Sequence, residues 1–216
     1  FSMIVLEKEL SKPYEMIDMV TTPDGSLVAM VHCNNCTSDL NAWVNLFKEY
    51  QELLGIPVDM DELYGKLYNI ALTGDTDCGG LLSYNYISGE PVTGLAEGRP
   101  LFVRSANDKF NLANFMRAHL YASVGVLKIG NDILFNEEKI KVDRITGHGG
   151  LFRTKGVGQR VLAAAINSPI SVMETAGEGG AWGIALLGSY LVNNKKGQSL
   201  ADFLDESVFV SDAGVE

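Results

Sequence analysis

The sequence predicts an α/β fold built on a mixed sheet, with an N-terminal β-hairpin and flanking helices. Two observations carry this prediction. The last third repeats one form twice: an apolar, strand-like run, a glycine-rich turn, and a helical pattern. "KVDRITGHGG" leads into "TKGVGQRVLAAAI", and "SPISVMETAGEGG" leads into "GEGGAWGIALLGSYL". Strands alternating with helices in this way indicate an α/β layout. The start of the chain instead holds two β-prone runs and a Pro-Asp-Gly turn, the mark of a hairpin.

The elements follow in order. Met3 to Glu7 is apolar and β-prone, "TPDGS" (Thr22–Ser26) is a turn, and "LVAMVHC" is a second strand. The two read as a hairpin, with "KELSKPYEMIDMV" between them adding room for another strand. In "CTSDLNAWVNLFKEYQELLG", Leu40, Trp43, Val44, Leu46, Phe47, Tyr50, Leu53 and Leu54 recur at helical spacing. Thr37 or Ser38 can cap this helix and Gly55 ends it. "VDMDELYGKLYNIAL" is a second helix, with Asp59 or Asp61 at the end where negative charge suits the dipole.

"GGLLSYNYISGE" (Gly79–Glu90) reads as a strand running into a loop, and "PVTGLAEGRPLFVRSANDK" as surface loop, punctuated by Pro and Gly. The longest helical pattern runs from about Asn111 to Phe135. His119 lies on its apolar stripe and reads as a core histidine satisfied by a hydrogen bond, against a catalytic alternative. "NNKKGQSLADFLDE" adds a polar turn and a short helix, and "SDAGVE" reads as a frayed end.

The chain has 216 residues, 46% of them hydrophobic, enough for one sizeable domain, or one and a half, with a real core. Its net charge of −10 argues against a nucleic-acid partner, because an acidic surface repels phosphate backbones. No apolar run approaches the ~20 residues of a membrane span. The opening "FSMIVLEKEL" has no signal-peptide pattern, lacks a starting Met and begins on a strand, so a piece of a longer protein is expected.

Cys33, Cys36 and Cys78 form an odd, sparse set that suits a reducing, cytoplasmic compartment. "HCNNC" raises a C-x-x-C flag beside His32. A zinc site requires about four such ligands, and only Cys78, His119 and His148 remain to complete one. Structural cysteines are therefore the reading, with no metal site assigned. A redox or metal protein is kept as a competing reading.

The two glycine turns carry the functional question. Glycine after a strand lets the backbone turn sharply and bring its N–H groups close to a ligand. A helix starting there adds a positive dipole end. Two such turns on neighbouring strands fall where α/β sheets bind ligands, although glycine also serves tight packing. Neither turn is a familiar fingerprint. "GHGGLFRTKG" lacks the Gly-Lys-Ser/Thr ending of a P-loop, and Phe152 stands where G-x-G-x-x-G needs its third glycine.

In their order and spacing these segments resemble the C-terminal domain of the FGGY carbohydrate kinases, a branch of the actin-like ATPases with a ribonuclease H-like fold. Gly147-His148-Gly149-Gly150, then "GQRVLAAAINSPISV", then Glu178 to Ala185 resemble the family's G-G-G-x-x-S loop, helix, strand and E-x-x-A-L-G-A-A helix. "YNYISGEP" resembles its Y-L-S-G-E-R segment, and "NFMRAHLYASVGVL" its T-R-A-H-L helix. Trp43 after "NNCTSDLNA" resembles the Trp that follows the first hairpin. The chain departs at His148 inside the glycine triplet, at about three extra residues before the next helix, at Ala164 in place of an Asp, and at Val126 in place of an acidic residue.

The resemblance implies one C-terminal domain over 1–216, the adenosine-binding half of a kinase. Such a kinase moves the γ-phosphoryl of ATP, with Mg²⁺, to a sugar hydroxyl. The sugar-binding N-terminal half and the catalytic Asp would lie outside this chain, which alone would be inactive. The nucleotide would meet Gly147, His148, Gly149 and Gly150, then Phe152, Thr154 and Lys155, then Gly179 and Gly180. Lys155 reads first as a solvated lysine and second as a phosphate contact; His148 is a passenger or a ribose contact; Glu178 reads as a helix cap. A pentulose, xylulose or ribulose, is the favoured substrate, and a homodimer is compatible with the resemblance. The competing reading is a non-catalytic actin-like binding or regulatory module.

Overall fold

The computed structural model describes residues 1–173 and 178–209. The chain divides into two compact units, Phe1–Val142 with Ala164–Asn167, and Asp143–Ala163 with Ser168–Glu216.

The first unit opens on a three-stranded antiparallel sheet: β1 (Ser2–Val5), β2 (Asp18–Thr21) and β3 (Leu27–Val31), in the order β1-β3-β2. The Thr22–Ser26 turn closes on a bond from the Thr22 amide to the Ser26 carbonyl, with Gly25 at φ 92°. That turn joins β2 to β3. β1 lies along the other side of β3, Ser2 opposite Val31 and Val5 opposite Val28. The expected pairing of the first strand with "LVAMVHC" holds, and the segment between them supplies the third strand.

α1 (Ser38–Leu53) starts after Thr37, whose side chain makes no capping bond. Position, not hydroxyl chemistry, is what the cap expectation got right. Leu40 and Val44 are buried, whereas Leu46, Tyr50, Leu53 and Leu54 of the predicted stripe are exposed. The helix ends as expected at Gly55, φ 71°, whose N–H reaches the Glu52 carbonyl while that of Ile56 reaches Gln51. This doubled bond satisfies two of the orphan carbonyls of the last turn. α2 (Met60–Ala71) begins under Asp59, whose carboxylate accepts the Glu62 N–H at 3.0 Å. It buries Leu63, Leu67, Tyr68 and Ala71 on one face.

β4 (Leu82–Tyr84) pairs antiparallel with β5 (Leu101–Val103), Leu82 opposite Val103. β5 lies inside the stretch read as surface loop, and this is a correction. Three residues are too short for a period-2 pattern to stand out. What makes them a strand is Phe102, which turns inward against Trp43 and Phe115 while Leu101 and Val103 stay exposed. Upstream, Val92 is buried too.

α3 (Leu112–Asp132) is capped by Asn111, whose side chain accepts the Asn114 N–H at 2.9 Å. It runs into one wide turn over Ile133–Glu137, where the Glu138 N–H reaches back five residues to the Ile133 carbonyl. Gly130 lets the helix touch the sheet: a Cβ there would lie 2.3 Å from Cγ1 of Val31. Ile4, Ala29, Val31, Val126, Ile133 and Leu134 form the core at this junction. Val126, the departure from the expected acidic residue, is thus part of it.

In the second unit β6 (Ile145–Gly147) pairs parallel with β7 (Ile170–Val172), Ile145 opposite Ile170 and Gly147 opposite Val172. α4 (Val157–Ile166) connects them, the strand–helix–strand form the repeat predicted. α5 (Gly179–Asn193) and α6 (Leu200–Ser207) follow, tied by a Tyr190–Phe203 ring contact at 5.5 Å and a Tyr190 hydroxyl bond to the Gln198 carbonyl at 2.7 Å. Glu174 to Gly177 of the second glycine turn, and the "SDAGVE" end, lie outside the described residues.

Candidate functional site

The first glycine turn is built in steps. β6 ends at Gly147, and Gly149 takes φ 108°, ψ 178°, a conformation open essentially to glycine alone. A single tight turn follows over Gly150–Phe152, with the Phe152 amide bonded to the Gly149 carbonyl at 3.0 Å. Arg153 to Gly156 then lead into α4. The tight turn folds back on the strand: a Cβ on Gly147 would lie 2.4 Å from Cζ of Phe152. It also sits on the start of α4, where a Cβ on Gly158 would lie 2.6 Å from the Leu151 carbonyl oxygen.

The start of α5 meets the first turn through His148. A Cβ on Gly179, at the start of α5, would lie 2.7 Å from Nδ1 of His148. Arg153 and Glu178 join the same two segments by an ion pair between Nη2 and Oε1. Glu178 does occupy the N-cap position of α5, but its side chain makes no capping bond. Its carboxylate is engaged by Arg153 instead, which corrects the cap reading.

The glycines therefore divide into two kinds. Gly147 and Gly179 are required by neighbours within the protein. Gly149, Gly150 and Gly180 have, among the described residues, no atom within 4 Å of the point a Cβ would occupy. Among the described residues no hydrogen bond takes up the N–H of Gly150 or Leu151. The arrangement thus presents backbone donors and the positive end of α5 beside the Arg153–Glu178 pair, a set suited to anionic ligands. Phe152 is half-buried and Thr154 and Lys155 continue the loop. Nothing in this group is a nucleophile paired with a base, so the arrangement suits binding more than bond-making.

The other candidates lie in the first unit. His119 is buried, with Nδ1 3.0 Å from the Ser83 hydroxyl and 3.5 Å from a carboxylate oxygen of Asp39. Its ring packs on Phe115 at 4.4 Å and on Trp43 at 5.3 Å. Burial pushes its pKa down to about 4, which favours the neutral ring; Nδ1 has the hydrogen bond the core reading expects, while Nε2 has no partner among the described residues. Cys33, Cys36 and Cys78 are free thiols. Burial, with the charge of Glu90 adding to it, pushes the Cys33 thiol up to about 12, the reverse of an activated thiolate. Among the described residues no group of three or more His, Cys, Asp or Glu is placed to hold a metal ion.

One residue entered the sequence reading only as part of the "YNYISGEP" segment, with no sign of its role. Glu90 is wholly buried, and its Oε2 accepts the backbone N–H groups of Asn34 and Asn35, both at 3.1 Å, and the Asn35 side-chain amide at 3.0 Å. It ties the loop after β3 to the loop after β4. A Gly-Glu-Pro string gives no burial signal, so only the partners 55 and 56 residues away disclose it.

Comparison with known proteins agrees with this architecture. The model of the FGGY family of carbohydrate kinases, C-terminal domain, matches residues 1–192. No curated protein gives a significant match. Among solved structures, gluconate kinase from Lactobacillus acidophilus is 18% identical with TM-score 0.66, covering 99% of this chain and 39% of that one. Xylulose kinase from Rhodospirillum rubrum is 17% identical with TM-score 0.63, covering 93% and 37%. Plasmodium falciparum glycerol kinase, solved with ADP, is 18% identical with TM-score 0.54, covering 84% and 33%. The chain spans little more than a third of the length of these enzymes, and at such identities the likeness is one of fold: the actin-like ATPase fold of FGGY C-terminal domains. With the family match running through both units, the chain belongs to the FGGY family of carbohydrate kinases, whose C-terminal domain it carries.

Proposed function

We propose that this chain is the nucleotide-binding C-terminal domain of an ATP-dependent sugar kinase, one domain made of both units. The observation that carries the reading is the meeting of the first glycine turn with the start of α5 at the carboxyl ends of parallel β6 and β7, where α/β sheets take ligands. The adenosine side of ATP lies against Gly147, His148, Gly149 and Gly150, the Phe152, Thr154 and Lys155 stretch, and Gly179 and Gly180. Gly149, Gly150 and Gly180 front the ligand, and Gly147 and Gly179 hold the two turns together.

Bound ATP with Mg²⁺ supplies the phosphoryl group, and the metal neutralises charge on it. This chain's part is to position the nucleotide and hold it by backbone donors. The base that takes the sugar's proton belongs to the other half of the enzyme, so the chain alone is inactive. A pentulose, xylulose or ribulose, is the substrate, the setting is the cytoplasm, and a homodimer is the assembly to look for.

The test is a coupled ADP-release assay on the full-length enzyme with xylulose, ribulose, gluconate and glycerol, beside the 216-residue chain. Turnover of a pentulose by the full enzyme, and none by the chain, supports the reading. Kinase turnover by the chain alone, or a full-length protein inert with every sugar, contradicts it.

A further inference from the structure

We propose that Arg153 and Glu178 form a latch across the two glycine turns, opened when Arg153 exchanges the Glu178 carboxylate for a phosphate of the bound nucleotide. The inference rests on the nucleotide reading and assigns a role to two residues which that reading leaves unused.

Arg153 ends the tight turn that follows the first glycine loop, and Glu178 immediately precedes α5. They are 25 residues apart in sequence, and their side chains meet between the two turns. Glu178 stands at the N-cap of α5, where a shorter Asp or Ser side chain ordinarily accepts the first amides, and its own side chain makes no such bond. One carboxylate thus has two competing partners, the Arg153 guanidinium and the α5 amides. The side chains are 60% and 69% exposed, so the pair is weakly held and screened by solvent. A phosphate accepts a guanidinium fork in two bonds and carries more charge than a carboxylate. When Arg153 turns to it, Glu178 is free to cap α5, which offsets the broken pair. No covalent step is involved; one ionic partner replaces another.

The latch makes a prediction that simple repulsion between Glu178 and a phosphate does not: the gain from removing the Glu178 charge disappears when Arg153 is absent. Removing the Glu178 charge frees Arg153 in advance, so Glu178→Gln tightens binding. The test follows the amide NMR signals of Gly149 and Gly150 in the 216-residue chain titrated with millimolar ADP and, separately, adenosine. Glu178→Gln is expected to tighten ADP about threefold and leave adenosine unchanged. Arg153→Gln weakens ADP by a similar factor, and the double variant matches Arg153→Gln. Both sites are exposed, and circular dichroism melts verify that each variant folds. If the wild type binds ADP and Glu178→Gln binds it no tighter, or tightens adenosine equally, the latch is wrong. If ADP leaves the wild-type glycine amides unmoved, the nucleotide reading itself falls and takes the latch with it.

Discussion

The ring of Phe152 lies against Gly147 so closely that a Cβ on the glycine would sit 2.4 Å from the ring's Cζ. The glycine that ends β6 is therefore required by the turn that follows it, before any ligand is considered. Gly147→Ala should destabilise the fold by about 1–3 kcal/mol through overpacking. Shortening the ring in a Gly147→Ala, Phe152→Leu double variant should recover part of the loss. Urea melts of the three proteins check this; equal stability of wild type and Gly147→Ala would show that the ring moves aside freely.

The buried carboxylate of Glu90 holds three N–H donors on one oxygen, while Oε1 has no partner among the described residues. Glu90→Ala would leave two backbone amides and the Asn35 side chain without an acceptor. Each such group costs about 1–3 kcal/mol when buried, so a loss of several kcal/mol is expected. Denaturant unfolding gives the number, and a change under about 1 kcal/mol would mean that water replaces the carboxylate without penalty.

His119 gives the fold a pH dependence whose sign can be worked out. Its folded pKa is lowered from 6.5 to about 4 by burial. Below about 6.5 the unfolded chain takes up a proton that the folded chain refuses, so stability falls as pH drops, by up to ~3 kcal/mol at pH 4. Asp39, 3.5 Å away and raised by burial, runs the other way, its folded form accepting a proton first. Comparing His119→Phe with the wild type at about pH 7 and about pH 4.5 isolates the histidine. The variant should lose less stability between the two pH values, and identical losses would remove His119 from the account.

Asp59 caps α2 through the Glu62 N–H at 3.0 Å. Asp59→Ala should cost about 1 kcal/mol and Asp59→Asn much less, because the amide oxygen still accepts the bond. Thermal melts distinguish the two, and equal losses would assign the effect to charge at the helix end instead.

Much of this protein was readable along the chain. The order of strands and helices, the Gly55 stop, the Asp59 cap and the twice-repeated strand–glycine–helix form all rest on residues within a few positions of one another. Propensity, capping and turn chemistry act over that range, and so does the ordered set of short motifs that carried the family resemblance. Where three-residue β5 was misread, no local pattern existed to read.

What only the tertiary structure decided depends on residues brought together from far apart. Phe102 makes a strand of its neighbours because Trp43 and Phe115 wait beside it. Glu90 is buried because Asn34 and Asn35 supply its donors. The glycines of the two turns look alike in sequence, yet Gly147 and Gly179 are held by Phe152 and His148 while Gly149, Gly150 and Gly180 meet no such neighbour among the described residues. Glu178 has the position of a cap and the partner of an ion pair, because Arg153 reaches it across 25 residues of chain. Local free energies set which element forms; burial and partner choice are set by what the fold places next to it, and that information is not carried by any single segment.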